Sequence, residues 1–323
     1  MISVEGLTKR YDDTLAVDGI SFQVEQGEIL GFLGPNGAGK TTTMKIVTCY
    51  MPPTSGDVVI DGQSVLKHSL EIRRRLGYLP EHTPLYDFMP VLDYLEFVAE
   101  MRGLELSARP RRIREMVEVC GLGEVLTRDI GELSKGFRQR VGLAQALIHD
   151  PDMVILDEPT SGLDPNQIAE IRSLIREIGR QKTLILSTHI LPEVTATCNR
   201  VIIINRGRIV ADGRPDELAG SQRGHRPLQV GFVAAAFETA AAVEALGRVP
   251  GVLKVGPPKQ DGALILFQLN TDKERDPRSE IFRLAAERGW PLAELHLERS
   301  SLEDIFRELT VGAESEHVSG RSD

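Results

Sequence analysis

The sequence predicts an α/β fold in which a sheet, covered by helices on both faces, carries a phosphate-binding loop. Continuous apolar strands alternate with amphipathic helices over the first two thirds of the 323 residues, which is typical of a largely parallel, buried sheet. The loop at residues 34–42, GPNGAGKTT, follows a short apolar strand and opens a helix. This strand–loop–helix context is the one in which the pattern binds phosphate.

The bulk composition is that of an ordinary soluble globular protein, with 41% hydrophobic and 26% charged residues and a formal net charge of −9. An acidic chain is a poor general binder of nucleic-acid backbones, because that affinity comes from Lys and Arg. No nucleic-acid partner is therefore expected, and the arginines at 109–114 are better explained as the solvated face of a helix. The three cysteines lack pairing or metal-binding spacing, which favours a reducing compartment.

The first part of the chain predicts an antiparallel β subdomain. Residues 2–7, 15–17 and 20–24 contain short runs of strand-forming residues separated by turn signals. Tyr11 is expected in the loop between the first two of these strands. After the phosphate loop and its helix, residues 57–62 predict a further strand that ends in an Asp-Gly turn.

The middle of the chain predicts a helical subdomain and the rest of the main sheet. Apolar residues at helical spacing over 91–102 and 109–120 indicate helices set apart from the sheet. Uninterrupted apolar runs at 153–156 and 183–187 predict buried strands. A hairpin at 201–210 follows. None of these runs approaches the roughly 20 residues that cross a bilayer, so another chain would have to supply any membrane crossing.

The end of the chain predicts a second, smaller domain. The expected organisation is a main domain at 1–220, a linker at 221–227, an accessory α+β domain at 228–311 and a disordered tail at 312–323. The accessory domain contains two βαβ halves, which predicts a ferredoxin-like sandwich. The Gly-rich, polar composition of the linker and the polar composition of the tail support these boundaries.

The phosphate loop carries the residue types that its chemistry needs. Gly34, Gly37 and Gly39 permit a tight turn that points several N–H groups at one anion. The helix start adds partial positive charge at the same point. Lys40 can place an ammonium on the outer phosphates, and the Thr41 hydroxyl can reach a bridging Mg²⁺ ion. A plain glycine-rich turn is the alternative, and the complete match in its strand–helix context disfavours it.

Two carboxylates follow the apolar strand at 153–156. Asp157 is placed to hold Mg²⁺ directly or through water. Glu158, one residue on, can polarise a water for attack on a γ-phosphate. An acidic strand-to-loop turn is the alternative, and the phosphate loop upstream makes the catalytic interpretation the better one.

Residues 133–137, LSKGF, resemble the LSGGQ signature of ATP-binding cassette (ABC) proteins. Ser134 and Gly136 stand at a helix start, which makes a second anion site. An ordinary N-cap at Ser134 exposes the same donors. The resemblance implies that this segment closes on a nucleotide held by a partner subunit.

With these motifs in order, residues 1–218 resemble a complete ABC ATPase domain, a P-loop NTPase fold with a mixed sheet, an antiparallel β subdomain and a helical subdomain. The resemblance implies that ATP contacts Tyr11, Gly34, Pro35, Asn36, Gly37, Ala38, Gly39, Lys40, Thr41, Thr42, Ser134 and Gly136. It implies that Mg²⁺ is held by Thr41, Asp157 and Glu81. It assigns catalysis to Glu158, His189 and Lys40.

In this resemblance Tyr11 stacks on adenine, with core packing as the open alternative, and His189 is the switch histidine that reaches the γ-phosphate. Residues 161–164 match the D-loop. Glu81 stands where the family usually carries Gln, which would add negative charge near Mg²⁺. Lys135 replaces a signature Gly, and either adds a positive charge near the opposing phosphates or faces solvent.

The resemblance implies an ATP-hydrolysing subunit that powers transport, in the export direction, through separate transmembrane subunits. Two copies would close on ATP at the cytoplasmic face of the cell membrane. The C-terminal unit is similar to that of ABC-2-type exporters, and residues 81–86 resemble the gliding-motility and copper-maturation branch. Tyr86, Phe88 and Met89 are candidate contacts to the membrane subunits, with local packing as the alternative.

Two other function classes are compatible with parts of this sequence. A soluble ABC ATPase acting on nucleic acid or ribosomes is disfavoured, because the chain shows neither two cassettes nor a long coiled-coil insertion. A ligand-sensing role for the C-terminal unit is a third class. No set of polar residues in its sequence indicates a ligand pocket, so this role is left open.

Overall fold

The computed structural model describes residues 1–220, 225–234, 238–272, 274–297 and 302–311. The chain divides into two compact units, Met1–Pro215 and Asp216–Asp323. The predicted tail at 312–323 and residues 221–224 of the predicted linker lie outside the described residues. In the part of the chain that is described, no helix combines the length and the apolar character needed to cross a bilayer.

In chain order, the first unit contains β1 (Ile2–Tyr11), β2 (Thr14–Val24), β3 (Ile29–Leu33), α1 (Lys40–Val47), β4 (Ser55–Ile60), β5 (Gln63–Ser64), α2 (Ser69–Arg75), β6 (Leu76–Leu79), α3 (Val91–Met101), α4 (Arg109–Val119), α5 (Lys135–Leu147), β7 (Met153–Asp157), α6 (Pro165–Gly179), β8 (Thr183–Thr188), α7 (Leu191–Thr197), β9 (Arg200–Asn205) and β10 (Arg208–Gly213). The remaining elements are α8 (Pro215–Gly220), β11 (His225–Val233), α9 (Thr239–Gly247), β12 (Val252–Val255), β13 (Lys259–Asp261), β14 (Leu264–Asp272), α10 (Arg278–Arg288), β15 (Leu292–Leu297) and α11 (Leu302–Val311).

The main sheet has six strands in the order β10-β9-β3-β8-β7-β6, and all of its pairings except β10–β9 are parallel. Every residue of β3, β7 and β8 is buried, as expected for apolar strands covered on both faces. These three strands are neighbours, so their carboxyl ends meet at one edge of the sheet. Ligands of open α/β sheets bind at that edge.

The second sheet is antiparallel, in the order β2-β1-β4-β5. The prediction that Tyr11 lies in a loop is wrong, because Tyr11 is the last residue of β1 and pairs with Thr14. Only Asp12 and Asp13 connect the two strands, and Asp12 takes a left-handed conformation with φ 46°, which Asp tolerates well. The polar residues near the strand ends hid this longer hairpin from the periodicity argument.

The helices α3, α4 and α5 form the helical subdomain. Arg111 and Arg114 are exposed, as the predicted solvated face requires. Arg112 differs, because its guanidinium donates hydrogen bonds to the carbonyls of Leu147 and Ile148 at 2.7 and 2.9 Å. It therefore satisfies carbonyls at the end of α5 that have no partner within the helix.

The second unit contains an antiparallel sheet in the order β12-β14-β11-β15, with β13 paired to β14. The buried rings of Phe232, Phe267 and Trp290 pack in its core. The strand β13 was not predicted, and β11 begins at His225, so the last residues of the predicted linker belong to a strand. The ferredoxin-like class of this unit stays a prediction.

We predict that Phe232→Ala destabilises the second unit. Phe232 is fully buried, with its ring centroid 6.0 Å from Phe267 and 5.7 Å from Trp290. Truncating such a ring removes about 3–5 kcal/mol of stability. Trp290 is the only tryptophan of the chain, so urea unfolding followed by its fluorescence should show a midpoint clearly below that of the wild type.

The matched control is Phe282→Ala, since Phe282 lies in the same unit but is 61% exposed. Its unfolding midpoint should stay close to the wild-type value. Equal midpoints for Phe232→Ala and Phe282→Ala would contradict the described core.

Candidate active site

The loop at residues 34–42 joins β3 to α1, and all three of its glycines are needed there. Gly37 and Gly39 have φ values of 78° and 106°, in the left-handed region that glycine occupies without steric cost. Gly34 is needed for a different reason, because a Cβ at this position would lie 2.4 Å from the carbonyl oxygen of Ile204. Gly39 is also approached closely, since a Cβ there would lie 2.5 Å from the carbonyl oxygen of Ala16. The loop thus depends on two left-handed conformations and two close approaches of backbone to backbone.

Lys40 is buried and folds back across this loop. Its ammonium donates hydrogen bonds to the carbonyl oxygens of Gly34 at 2.8 Å and Pro35 at 3.2 Å. It also lies 3.2 Å from Oε1 of Glu158, and both side chains are less than a tenth exposed. The sequence placed Lys40 and Glu158 in one site, and the structure brings them into contact.

Asp157 ends β7 and is fully buried. Its Oδ1 accepts hydrogen bonds from the hydroxyls of Ser187 and Thr41, the latter at 3.3 Å. Its Oδ2 is buried and has no hydrogen-bond partner among the residues that the structure describes. Burial raises the pKa of Asp157 and the nearby carboxylates of Glu158 and Glu81 raise it further, while the two hydroxyls lower it. A cation at this carboxylate would relieve that electrostatic cost.

Glu158 has a backbone φ of 49°, which is uncommon for a residue with a side chain and typical of functional sites. Its N–H donates to the carbonyl oxygen of Ser187 at 3.0 Å, which fixes the backbone against β8. Its Oε2 lies 2.8 Å from Nδ1 of His189. The carboxylate is therefore held between Lys40 on one side and His189 on the other.

The side chains of Lys40, Glu158 and His189 border one pocket of about 440 Å³, whereas Asp157 is not among its lining residues. The residues that line it are Ala16, Asn36, Gly37, Gly39, Lys40, Thr41, Thr42, Glu81, Glu158, Ser161 and His189. Glu81 is thus at the site, as predicted. Tyr11 is not among these residues. Its hydroxyl donates to Sδ of Met51 at 3.0 Å, and the Lys9 ammonium lies 5.4 Å from the centre of its ring.

Ser134 and Gly136 lie at the start of α5, and neither lines the pocket of its own chain. Ser134 caps the helix, since its Oγ accepts a hydrogen bond from the N–H of Phe137 at 3.4 Å. The ammonium of Lys135 lies against Gly162, where an added Cβ would be only 2.2 Å from it. This places Lys135 beside the loop at residues 161–164 of the same chain.

Ser187, which follows the apolar run of β8, was not predicted as a site residue. Its hydroxyl binds Asp157, and both its hydroxyl and its carbonyl accept from the N–H of Glu158. The available signal was a polar residue that follows the apolar run of a buried strand, two positions before His189. Ala16 also lines the pocket without having been singled out, and so does Ser161, the first residue of the segment that matches the D-loop.

Comparison with known proteins identifies the family. The model for ABC transporters matches residues 17–161. The chain is 37% identical over 229 residues to NatA, an ABC transporter ATP-binding protein of Bacillus subtilis, and this match covers 69% of the chain and 93% of NatA. The chain belongs to the ABC transporter family.

Two further matches support the same family. Nod factor export ATP-binding protein I of Burkholderia pseudomallei is 38% identical to this chain over 227 residues. The match covers 69% of this chain and 74% of the Burkholderia protein. The dimeric structure of a bacterial ABC transporter cassette is 25% identical, covers 66% of this chain and 98% of that one, and has a TM-score of 0.62. The predicted ABC cassette fold and the prediction of an ATP-binding, ATP-hydrolysing subunit are confirmed.

We predict that Asp157→Asn stabilises this ABC ATPase subunit at neutral pH. Burial raises the pKa of Asp157 in the folded state, so the folded chain binds its proton more tightly than the unfolded chain. Stability is therefore lost as the pH rises from the pKa of this carboxyl in the unfolded chain through its higher pKa in the folded chain. Above both values, the full cost of burying the ionised carboxylate is present. Asn cannot ionise, so in the absence of Mg·ATP its melting temperature at pH 7.5 should be higher by at least about 2 °C.

The stability gain of Asp157→Asn should shrink as the pH falls, because acid protonates the wild-type carboxyl. The control is Asp13→Asn in the exposed β1–β2 turn, which should melt like the wild type at each pH. A variant that is less stable than the wild type at pH 7.5 would show that ionised Asp157 is not a net cost to the fold.

Proposed function

We propose that this subunit binds Mg·ATP in the pocket at the carboxyl edge of the main sheet and hydrolyses it to power export through separate membrane subunits. The observation that carries the proposal is the continuous series of contacts from Lys40 through Glu158 to His189, at 3.2 and 2.8 Å. The series joins the segments that follow β3, β7 and β8, and all three residues line the pocket. The direction is supported by the relative that is named for Nod factor export.

The phosphate loop is the proposed triphosphate site. Residues 34–42 present backbone N–H groups at the start of α1, where the helix dipole favours an anion. Lys40 would bind the outer phosphates. Since its ammonium lies 3.2 Å from Glu158, phosphate oxygens would compete with that carboxylate for it. Binding would then free Glu158 to face a water molecule.

The residues present fit Mg²⁺ as the metal of this site. The ion favours hard oxygen ligands and is commonly held by one or two carboxylates together with substrate phosphates. Thr41 and Asp157 supply such oxygens, including the buried Oδ2 of Asp157 that has no partner. No cluster of three or more His, Cys, Asp or Glu that could hold a metal occurs among the described residues, which agrees with a metal shared with phosphate.

Bound Mg²⁺ would neutralise negative charge on the outer phosphates. Glu81 lines the same pocket and is proposed as a further ligand, directly or through water. Its carboxylate adds negative charge where the family usually carries a neutral Gln, which raises the demand for a cation there.

Glu158 is the proposed general base. Its carboxylate would accept a proton from the water that attacks the γ-phosphorus, and the bond to the ADP leaving group would then break. The ring of His189, 2.8 Å from Oε2, would hold that carboxylate in position and reach the γ-phosphate. The unusual φ of Glu158 aims its side chain into the pocket.

A second copy is the proposed source of the remaining contacts. Ser134 caps α5 and Gly136 lies in its first turn, and neither residue lines the pocket of its own chain. A related cassette has been solved as a dimer. In a nucleotide sandwich, Ser134 and Gly136 of the partner subunit would donate to the phosphates. Stacking of Tyr11 on adenine stays a prediction, supported by the 41% exposure of its side chain.

An aromatic cluster is the proposed contact to the membrane subunits, which would hold this subunit at the cytoplasmic face of the membrane. The ring of Tyr86 packs against Phe88, Tyr94 and Phe97 at centroid distances of 5.5–6.0 Å. Local packing therefore accounts for an aromatic residue at position 86. It does not explain Phe88, which is 80% exposed. A large exposed aromatic beside other apolar groups is typical of an interaction site.

We predict that Glu158→Gln binds ATP, accumulates as a dimer and hydrolyses at least about 100-fold more slowly, because a positioned general base contributes roughly 10²–10⁴-fold. The neutral amide also removes the charge that competes for Lys40. The measurements are ATP turnover and the dimer fraction in size-exclusion chromatography with Mg·ATP. Glu105→Gln, at an exposed position, should match the wild type. Near-normal turnover of Glu158→Gln would remove Glu158 from the base role.

We predict that Phe88→Ala weakens the attachment to the membrane subunits while the isolated subunit keeps its basal ATPase rate. The readout is recovery of the co-purifying membrane protein from detergent extracts of the native membrane. The control is Leu106→Ala, since Leu106 is similarly exposed at 77% but lies outside the aromatic cluster. Equal recovery with both variants would show that Phe88 does not contact the membrane subunits.

A further inference from the structure

A buried carboxylate outside the pocket joins two of the segments that form it. Glu193, in the first turn of α7, is 1% exposed. Its Oε1 accepts a hydrogen bond from the hydroxyl of Thr160, and its Oε2 accepts one from the hydroxyl of Thr188 at 2.7 Å. These two threonines are also buried. Both oxygens of the carboxylate are thus used to link two separate stretches of chain.

Each threonine is close to the catalytic groups along the chain. Thr160 stands two residues after Glu158 and directly before Ser161, which lines the pocket. Thr188 directly precedes His189, and its carbonyl oxygen accepts from the N–H of Gly34 at 3.3 Å. Its hydroxyl also accepts from the backbone N–H of Ile190 at 3.0 Å.

The buried position of Glu193 makes a charge on its carboxylate costly in free energy. Burying a carboxylate costs free energy unless the carboxylate is paired or fully hydrogen-bonded. Within the described residues no Lys, Arg or His lies within ion-pair distance of Glu193, and the two threonine hydroxyls are the groups that bind it. Charge-assisted hydrogen bonds of this kind are short and directional, so they fix the two hydroxyls relative to each other.

We propose that Glu193 is a positioning residue for hydrolysis. Its carboxylate holds the loop after β7 and the end of β8 at a fixed separation, so that Glu158 and His189 stay within hydrogen-bond distance. The inference rests on the proposed function, since it assigns Glu193 to the same reaction. Glu193 acts through the two threonines and does not reach the pocket, whose lining residues do not include it.

The test compares Glu193→Ala with Glu193→Gln. Alanine removes both hydrogen bonds, whereas glutamine can accept from one threonine hydroxyl and donate to the other. We expect kcat for ATP hydrolysis to fall by about 10- to 100-fold in the alanine variant, because small displacements of catalytic groups cost that much. The KM for ATP should change less than about threefold, since the phosphate loop is untouched, and glutamine should restore most of kcat.

The matched control is Thr197→Val. Thr197 lies on the same helix, is 7% exposed and has a buried hydroxyl without a hydrogen-bond partner. Its replacement should leave kcat unchanged. A second variant, Thr160→Val combined with Glu193→Ala, should be no slower than Glu193→Ala alone, because both changes break the same link.

Hydrogen exchange supplies a readout that does not depend on hydrolysis. Peptides covering residues 158–164 should exchange faster in Glu193→Ala than in the wild type or in Thr197→Val. If the wild type hydrolyses no ATP while the exchange result holds, the proposed function fails and the link stands. The inference itself is overturned if Glu193→Ala keeps kcat within about twofold of the wild type, if glutamine is as slow as alanine, or if exchange is unchanged.

Discussion

The contact between Lys40 and Glu158 is the interaction on which the rest of the site depends. It joins a positive and a negative group, 3.2 Å apart and almost fully buried. Lys40 begins α1, the helix that follows β3, and Glu158 directly follows β7. These two strands are not adjacent in the sheet. The strand between them, β8, supplies His189 on the other side of the carboxylate. A parallel sheet brings strand ends together at one edge, so the catalytic contacts are a consequence of strand order.

The charge balance at this edge supports the proposed binding of Mg·ATP. Three carboxylates, those of Glu81, Asp157 and Glu158, converge near one lysine, and burial raises the pKa of Asp157. A buried pair such as Lys40 and Glu158 does little for stability, because desolvation offsets much of the attraction. The proposed ligand, Mg·ATP, would supply a cation for the carboxylates and anionic oxygens for the lysine. The unusual backbone of Glu158 fits the same view, since strained conformations concentrate at functional sites.

The sequence predicted the parts of the site that follow from local pattern. These parts are the glycine loop after an apolar strand and the acidic or imidazole groups that follow strand ends. They could be predicted because the residues that follow buried parallel strands lie at one edge of the sheet. Contacts that depend on where a long or polar side chain reaches in the folded structure could not be predicted from the sequence. Arg112 reaches the end of α5, Lys135 lies against Gly162, and Ser187 supports Asp157. Each depends on packing between segments far apart in the chain. The hairpin that contains Tyr11 was missed because polar residues broke its alternation.

The position of Ser134 and Gly136 bears on how ATP would act on the assembly. These residues lie at the start of α5 but do not line the pocket of their own chain, so one chain alone leaves the proposed phosphate contacts incomplete. In the proposed sandwich the same ligand contacts both copies, and its binding free energy adds to that of dimer formation. Cleavage of the γ-phosphate would remove the group that both copies share. The coupling of chemistry to movement would then follow from the division of one site between two chains.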